Sequence, residues 1–292
     1  MAKIIGMKEK LLYYKKHLFS LLGIVFGIAG AISVFLPIQL SFIEGIKTLS
    51  IVFFCVAIMA ACLTAFTISR KSIEVYHAGK TRIIFEYMDM KNVMSSGDEI
   101  RDNYTVVIPI NTFLNLVGDR NITKSKSIHK LWLDYLFEKR GIEFDRSILE
   151  HAKVKKSSAD FTATEPIGEI GDWFFLTPSE LGYDTKVRFL LIEVNDLEDK
   201  NGKKIVSALS KEQYIVVIQS LIEAIPDVLD LEEKVYIPLI GAGNANVGKP
   251  MDIMDIMESM LRFNKGILRQ EVHVILNEKY KNDTPLYLLK QI

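Results

Sequence analysis

Two long apolar runs near the start of the chain constrain it more than any other feature. No charged residue occurs from Leu18 to Ile43, where the core LFSLLGIVFGIAGAISVFL is followed by Pro37, and none occurs from Thr48 to Ser69. A spanning helix needs about 20 apolar residues to cross roughly 30 Å of hydrocarbon at ~1.5 Å per residue. Each run is that long. A cleaved signal peptide would instead carry an apolar stretch of about 7–15 residues ending in a small-x-small site, and Pro-Ile-Gln-Leu stands there instead. A buried globular hairpin is the alternative. The reading taken is two spans joined by Glu44-Gly45-Ile46-Lys47, a connection that forces an antiparallel hairpin. Five lysines precede the first span and Arg70-Lys71 follow the second. The positive-inside bias then places both termini in the cytoplasm. The expected organisation is a cytoplasmic segment over 1–17, a two-helix transmembrane hairpin over 18–71 and a cytoplasmic domain over 72–292. Gly23 and Gly27 form a Gly-x-x-x-Gly pattern, which is either a close helix contact or ordinary glycine usage in a membrane helix. Neither span has an interior charge, so no ion pathway is written into them.

The charge balance supports this division. The chain has 36 basic and 36 acidic side chains. Residues 1–71 hold eight of the basic ones and only two acids, Glu9 and Glu44, which leaves 28 basic against 34 acidic in 72–292, a net of −6. A net-acidic domain is a poor partner for nucleic acid, whose binding depends on phosphate neutralisation. The two cysteines, Cys55 and Cys62, both lie in the second apolar run, which excludes a disulfide framework and a cysteine-rich zinc site.

Beyond Arg70 short apolar strands alternate with amphipathic helices. Strands are expected at Arg82–Tyr87, Thr105–Ile110, Asp172–Leu176, Val187–Val194, Val235–Ile240 and Val272–Leu276. Several are continuous apolar runs, which suits strands buried on both faces. Helices are expected at Ser127–Lys139, where Ile128, Leu131, Trp132, Tyr135 and Leu136 form one stripe, at Ser210–Ala224 and at Met251–Arg262. The second opens on a capping box, Ser210 with Gln213, and Pro226 is expected to close it. The third follows Pro250, suited to a first helical position. Residues 153–168 read as an exposed loop. The fold class is α/β, a mixed sheet with helices on both faces.

Two strand-to-loop junctions carry the candidate chemistry. In the first, Val106-Val107-Ile108-Pro109-Ile110-Asn111-Thr112-Phe113 leads through Asp119 to the hydroxyl-rich stretch Thr123–Ser127 and a helix. In the second, the strand around Tyr236 ends in Gly241-Ala242-Gly243-Asn244-Ala245-Asn246-Val247-Gly248, again followed by a helix. Glycines admit a close backbone approach to phosphate, and helix N-termini favour anions. Facing each other, the loops would form a cleft for a diphosphate; each alone is equally a glycine-rich turn. Gly243–Lys249 also fits most of a Walker A pattern, but Pro250 stands where Mg²⁺ ligation needs a hydroxyl, and too little chain follows for a nucleotide-hydrolysing sheet. Histidines 77, 129, 151 and 273 have no metal spacing. His129 reads as a ligand contact or as a capping or surface residue, and His273 as a satisfied histidine. Asp89 and Asp119 are candidate acids or bases, or simply solvated. No nucleophile motif is present, which favours a binding module over an enzyme.

These segments together resemble a macro domain of the divergent type found in Thoeris anti-phage effectors (ThsA). The resemblance rests on VVIPINTF with the downstream KSKSIHK, on EIGDWFFL and on IPLIGAG, in that order over most of residues 81–292. It implies a three-layer macro-domain-like sandwich that binds an ADP-ribose derivative as ligand, with no cofactor and no metal. By the resemblance Asp89 meets the adenine, although Met88 stands where the usual pattern has glycine. Asn111 and Thr112 begin the loop near the distal ribose, and Pro109, Phe113 and Asp119 are further ligand-binding residues. Ser127, Ile128 and His129 lie beside the ligand, and Gly241, Ala242, Gly243, Asn244, Ala245, Asn246 and Val247 wrap the diphosphate. The Asn-Ala-Ala-Asn run of hydrolytic macro domains is missing, so the resemblance implies a receptor; an ADP-ribosyl hydrolase and a nucleotide-free membrane scaffold are the alternatives. It further implies a partner TIR-domain enzyme that consumes NAD and releases the signal, a conjugate such as histidine–ADP-ribose. Homo-oligomerisation on binding and damage to the bacterial inner membrane by the hairpins would follow.

Overall fold

A computed structural model of the chain describes residues 70–95, 103–112, 127–144, 148–149, 152–154, 167–182, 186–200, 203–231, 233–242, 247–281 and 284–289, together with Gly23 and Ile58. It divides into two compact units, Met1–Arg70 and Lys71–Ile292. The hairpin expected over 18–71 lies outside the described residues apart from Gly23, Ile58, Arg70 and Lys71. Among the described residues no helix is long and apolar enough to cross a membrane.

The second unit is built on an eight-stranded mixed sheet. Its strands are β1 (Ser72–Ala78), β2 (Thr81–Tyr87), β3 (Tyr104–Asn111), β4 (Lys153–Val154), β5 (Trp173–Leu176), β6 (Val187–Asn195), β9 (Lys234–Pro238) and β10 (Glu271–Leu276), and a separate hairpin holds β7 (Leu197–Lys200) and β8 (Lys203–Val206). The sheet order is β1-β2-β10-β9-β3-β6-β5-β4. From β2 to β6 the neighbours run parallel, and β1, β5 and β4 are antiparallel to theirs. The α-helices among its described residues are α1 (Met90–Ser95), α2 (Ile128–Arg140), α3 (Lys211–Val228) and α4 (Pro250–Phe263).

The sheet is buried on both faces, which explains its continuous apolar strands. One core packs Val217, Ile218, Leu221 and Ile222 of α3 and Met254, Met257 and Leu261 of α4 against Val235, Ile237, Val272, Val274, Leu190 and Ile192. The other packs Val93 and Met94 of α1 and Trp132, Leu133 and Leu136 of α2 against Val106, Ile108, Ile110, Phe189 and Phe174. The result is the expected three-layer arrangement, with Trp132 edge-on to both Phe144 and Phe189 at 4.8 and 5.8 Å between centroids.

Local signals set most helix ends. Ser210 and Gln213 form the capping box of α3 as expected. Pro250 takes the first turn of α4. Gly141, at φ 67°, ends α2 by returning its amide to Phe137 O at 3.0 Å. Two expectations are corrected. Helix α3 does not stop at Pro226 but continues to Val228. A proline so near the end removes a single helical hydrogen bond, and the burial of Ile225 and Leu229 outweighs that loss. The stretch 153–168 is not exposed throughout: Lys153–Val154 pair with β5, and Ile167 is buried and donates its amide to Thr112 O at 2.7 Å. Residues 155–166 lie outside the described residues.

Candidate functional site

The site follows from where two parallel strands part. β3 and β9 pair only over Tyr104–Val106 and Lys234–Tyr236. Past that point β3 stays with β6 through Asn111↔Asn195, and β9 stays with β10 through Pro238↔Ile275. The chain leaves them in opposite directions, the topological switch point at which open α/β sheets hold ligands. Pro109 and Pro238 both lie beyond the last β3–β9 pair, where no ladder bond across the gap is there for a missing amide to lose.

On the β9 side the strand bends at Gly241, whose φ of 88° favours glycine. A Cβ there would meet Val247 Cγ2 at 2.9 Å and Tyr214 Cε2 at 3.3 Å. Val247 donates its amide back to Gly241 O at 3.2 Å, tying the ends of the loop together, and Tyr280 Oη donates to Ala242 O at 2.9 Å. Beneath it Tyr214 is fully buried, its hydroxyl without a hydrogen-bond partner among the described residues. Desolvation pushes that phenol far above its ordinary range. The loop leads to the N-terminus of α4, the positive end of a helix macrodipole.

On the β3 side Asn111 and Thr112 are both buried. Thr112 is held on every side: its amide donates to Asn195 O at 2.8 Å, its carbonyl accepts from Ile167, and its hydroxyl donates to Asp196 Oδ1 at 2.9 Å. Ser127 caps α2, its hydroxyl oxygen accepting the Lys130 amide at 3.1 Å. Ile128 is half-buried. His129 is buried with its ring 6.2 Å from that of Trp132, and Nε2 has no partner among the described residues. Burial pushes its pKa down to about 4 and keeps the imidazole neutral. Asp89 is exposed at the carboxyl end of β2, where its Oδ1 accepts the Lys91 amide at 2.9 Å and its carbonyl opens α1.

The structure thus brings Asn111, Thr112, Gly241, Ala242 and Val247 to the two sides of one gap, and puts Asp89 at the same sheet end. Pro109 is two residues short of the end of β3. Phe113, Asp119, Gly243, Asn244, Ala245 and Asn246 lie outside the described residues. The two strand ends lead in sequence to the N-termini of α2 and α4, and helix N-termini favour anions such as a diphosphate. Sequence reasoning missed Tyr87, Tyr214, Tyr280 and Thr284. Tyr87 Oη donates to Thr284 O and accepts the Leu286 amide at 3.2 Å, and burial pushes its pKa up to about 12. No local motif marks Tyr87 or Tyr280, because Thr284 and Ala242 lie far from them in sequence.

His273 is satisfied, as expected. It bridges Glu86 at 2.6 Å and Glu271 at 2.8 Å, with its ring 4.8 Å from that of Tyr236.

A mixed sheet in this order, clothed by helices on both faces and parted at a glycine loop, defines a domain of macro type. The family model for the macro domain of the Thoeris protein ThsA matches residues 93–276, more than half of the chain, and the chain belongs to that family. Among solved structures it is similar to an Oceanobacillus iheyensis macrodomain with ADP, at 13% identity and a TM-score of 0.39, covering 72% of this chain and 90% of that one. A variant of the same macrodomain with ADPR gives 12%, 0.38, 72% and 92% in the same order. No protein among curated sequences matches the chain.

Proposed function

We propose that the domain binds an ADP-ribose derivative across the gap between β3 and β9, and that the chain is a membrane-anchored effector of a Thoeris-type anti-phage system. The observation that carries this reading is the closed glycine loop, where Gly241 O accepts the Val247 amide at 3.2 Å beside a strand pair that separates after Val106. The diphosphate lies along the Gly241–Val247 loop, Asn111 and Thr112 border the distal ribose, and Asp89 stands toward the adenine. Phe113, Asp119 and Gly243–Asn246 complete the site. The domain acts as a receptor, not as an enzyme, and needs neither cofactor nor metal.

The ligand is the product of a partner TIR-domain enzyme that consumes NAD, a conjugate such as histidine–ADP-ribose. Binding favours a homo-oligomer, and the hairpin over 18–71 carries the response into the bacterial inner membrane. A ligand drives such assembly only by favouring the assembled state. Calorimetric titration of the chain with ADP-ribose and with its histidine conjugate tests the receptor, and tighter binding of the conjugate is expected. No heat with either ligand would leave a scaffold. Sedimentation with and without the conjugate tests the assembly, and an unchanged profile would remove it.

A further inference from the structure

We propose that the C-terminal residues Glu278–Lys281 and Thr284–Leu289 act as a strap that couples the glycine loop to Lys71, the residue through which the chain enters the domain. The inference rests on the ligand reading above and assigns a regulatory route to that same site.

The route is a continuous series of hydrogen bonds. Tyr280 Oη donates to Ala242 O in the loop at 2.9 Å. Tyr280 O in turn accepts both the amide and the hydroxyl of Thr284, at 2.8 and 2.9 Å. Thr284 O accepts the hydroxyl of Tyr87, and the Tyr87 amide donates to Lys71 O at 2.8 Å. The inner links are shielded from water, with Tyr87 6% and Thr284 0% exposed. A buried polar group that loses its partner cannot turn to solvent instead, so breaking one link penalises its neighbours. The exposed Lys71–Glu278 ion pair, at 4.0 Å, adds little.

The geometry gives the strap something to move. Among the described residues β1 is an edge strand paired only with β2, with an irregular register between Glu74 and Tyr76. It runs antiparallel to β2, so Ser72 lies opposite Glu86 at the end of the sheet that carries the loops. The first strand of the domain and the ligand loop therefore share one end of the sheet and one set of tethers. A ligand that orders the loop raises the occupancy of the Tyr280–Ala242 bond and stiffens the strap behind it. Such coupling requires no large displacement.

Amide hydrogen exchange on the full chain, with and without ADP-ribose, tests this. In the native sequence ADP-ribose should slow exchange by about fivefold or more at Val247 in the loop and also at Tyr87 and Leu286. In Tyr280→Phe, slowing should persist at Val247 and vanish at Tyr87 and Leu286. Thr284→Val leaves the loop bond in place, and should weaken the distal effect without changing the one at Val247. Slowing at Val247 alone in the native chain, or undiminished distal slowing in Tyr280→Phe, would overturn the strap while leaving the ligand reading intact. Slowing nowhere in the native chain would overturn both.

Discussion

Val247 closes back on Gly241, its amide 3.2 Å from the glycine carbonyl and its Cγ2 2.9 Å from where a Cβ on residue 241 would stand. One residue thus meets two demands, a φ of 88° and an empty Cβ position. Gly241→Ala should lower stability by about 1–3 kcal/mol and abolish ADP-ribose binding. Gly79 has a φ of 62° with nothing within 4 Å of its Cβ position. Gly79→Ala should therefore carry the backbone strain alone, and binding should survive. Thermal melts and titrations on the two variants make the comparison, and equal binding by both would show that the loop tolerates the side chain.

Asn111 ends β3 opposite Asn195 and beside the gap. Asn111→Ala should remove the heat of ADP-ribose binding while the cooperative melt is kept. An unchanged isotherm would mean that the cleft is misplaced.

His129 gives the domain a pH dependence of definite sign. Its pKa is about 4 in the fold, against about 6.5 when unfolded. The unfolded chain therefore binds a proton that the folded one excludes as pH falls through that window. Stability from this group is complete above about pH 6.5 and is lost toward pH 4, by up to ~3 kcal/mol. His129→Leu should flatten the urea-derived stability between these limits relative to the native sequence. Parallel curves would show that the imidazole finds a partner in solution.

At the opposite end of the sheet Glu233 is buried, accepting from Thr105 Oγ1 at 2.7 Å and from Arg188 Nε at 3.0 Å. It joins the starts of β3, β6 and β9. Glu233→Ala should cost about 3 kcal/mol, because it leaves the partly buried Arg188 guanidinium to the exposed Asp230 carboxylate at 3.7 Å. The affinity of the folded fraction for ADP-ribose should not change. A weakened affinity in fully folded protein would show that this network reaches the site.

Much of the fold was legible because its signals are local. Strands buried on both faces must be apolar throughout, and TVVIPI and VYIPLI read as such; Ser210 with Gln213 and Pro250 announced their helices. The polar edge strand β1 was not recognised, since Ser72–Ala78 buries only Ile73 and Val75. The β7–β8 hairpin was missed despite Asn201-Gly202 between its strands in sequence, a turn signal that could have found it. Pro226 misled because local chemistry foretold a stop, whereas the buried Ile225 and Leu229 on either side of it hold the helix for two residues more.

The sequence by itself determined an apolar N-terminal region followed by an α/β domain, and it marked the two loops at the ends of β3 and β9. Periodicity, capping and glycine placement act within a few residues, so they survive in the linear order. The tertiary structure alone decided that β3 and β9 separate, that Tyr280 reaches Ala242 across 38 positions, and that Tyr87 reaches Thr284 across 197. Such pairings arise from strand order and burial, which bring distant polar groups together in a dry interior where each must find a partner.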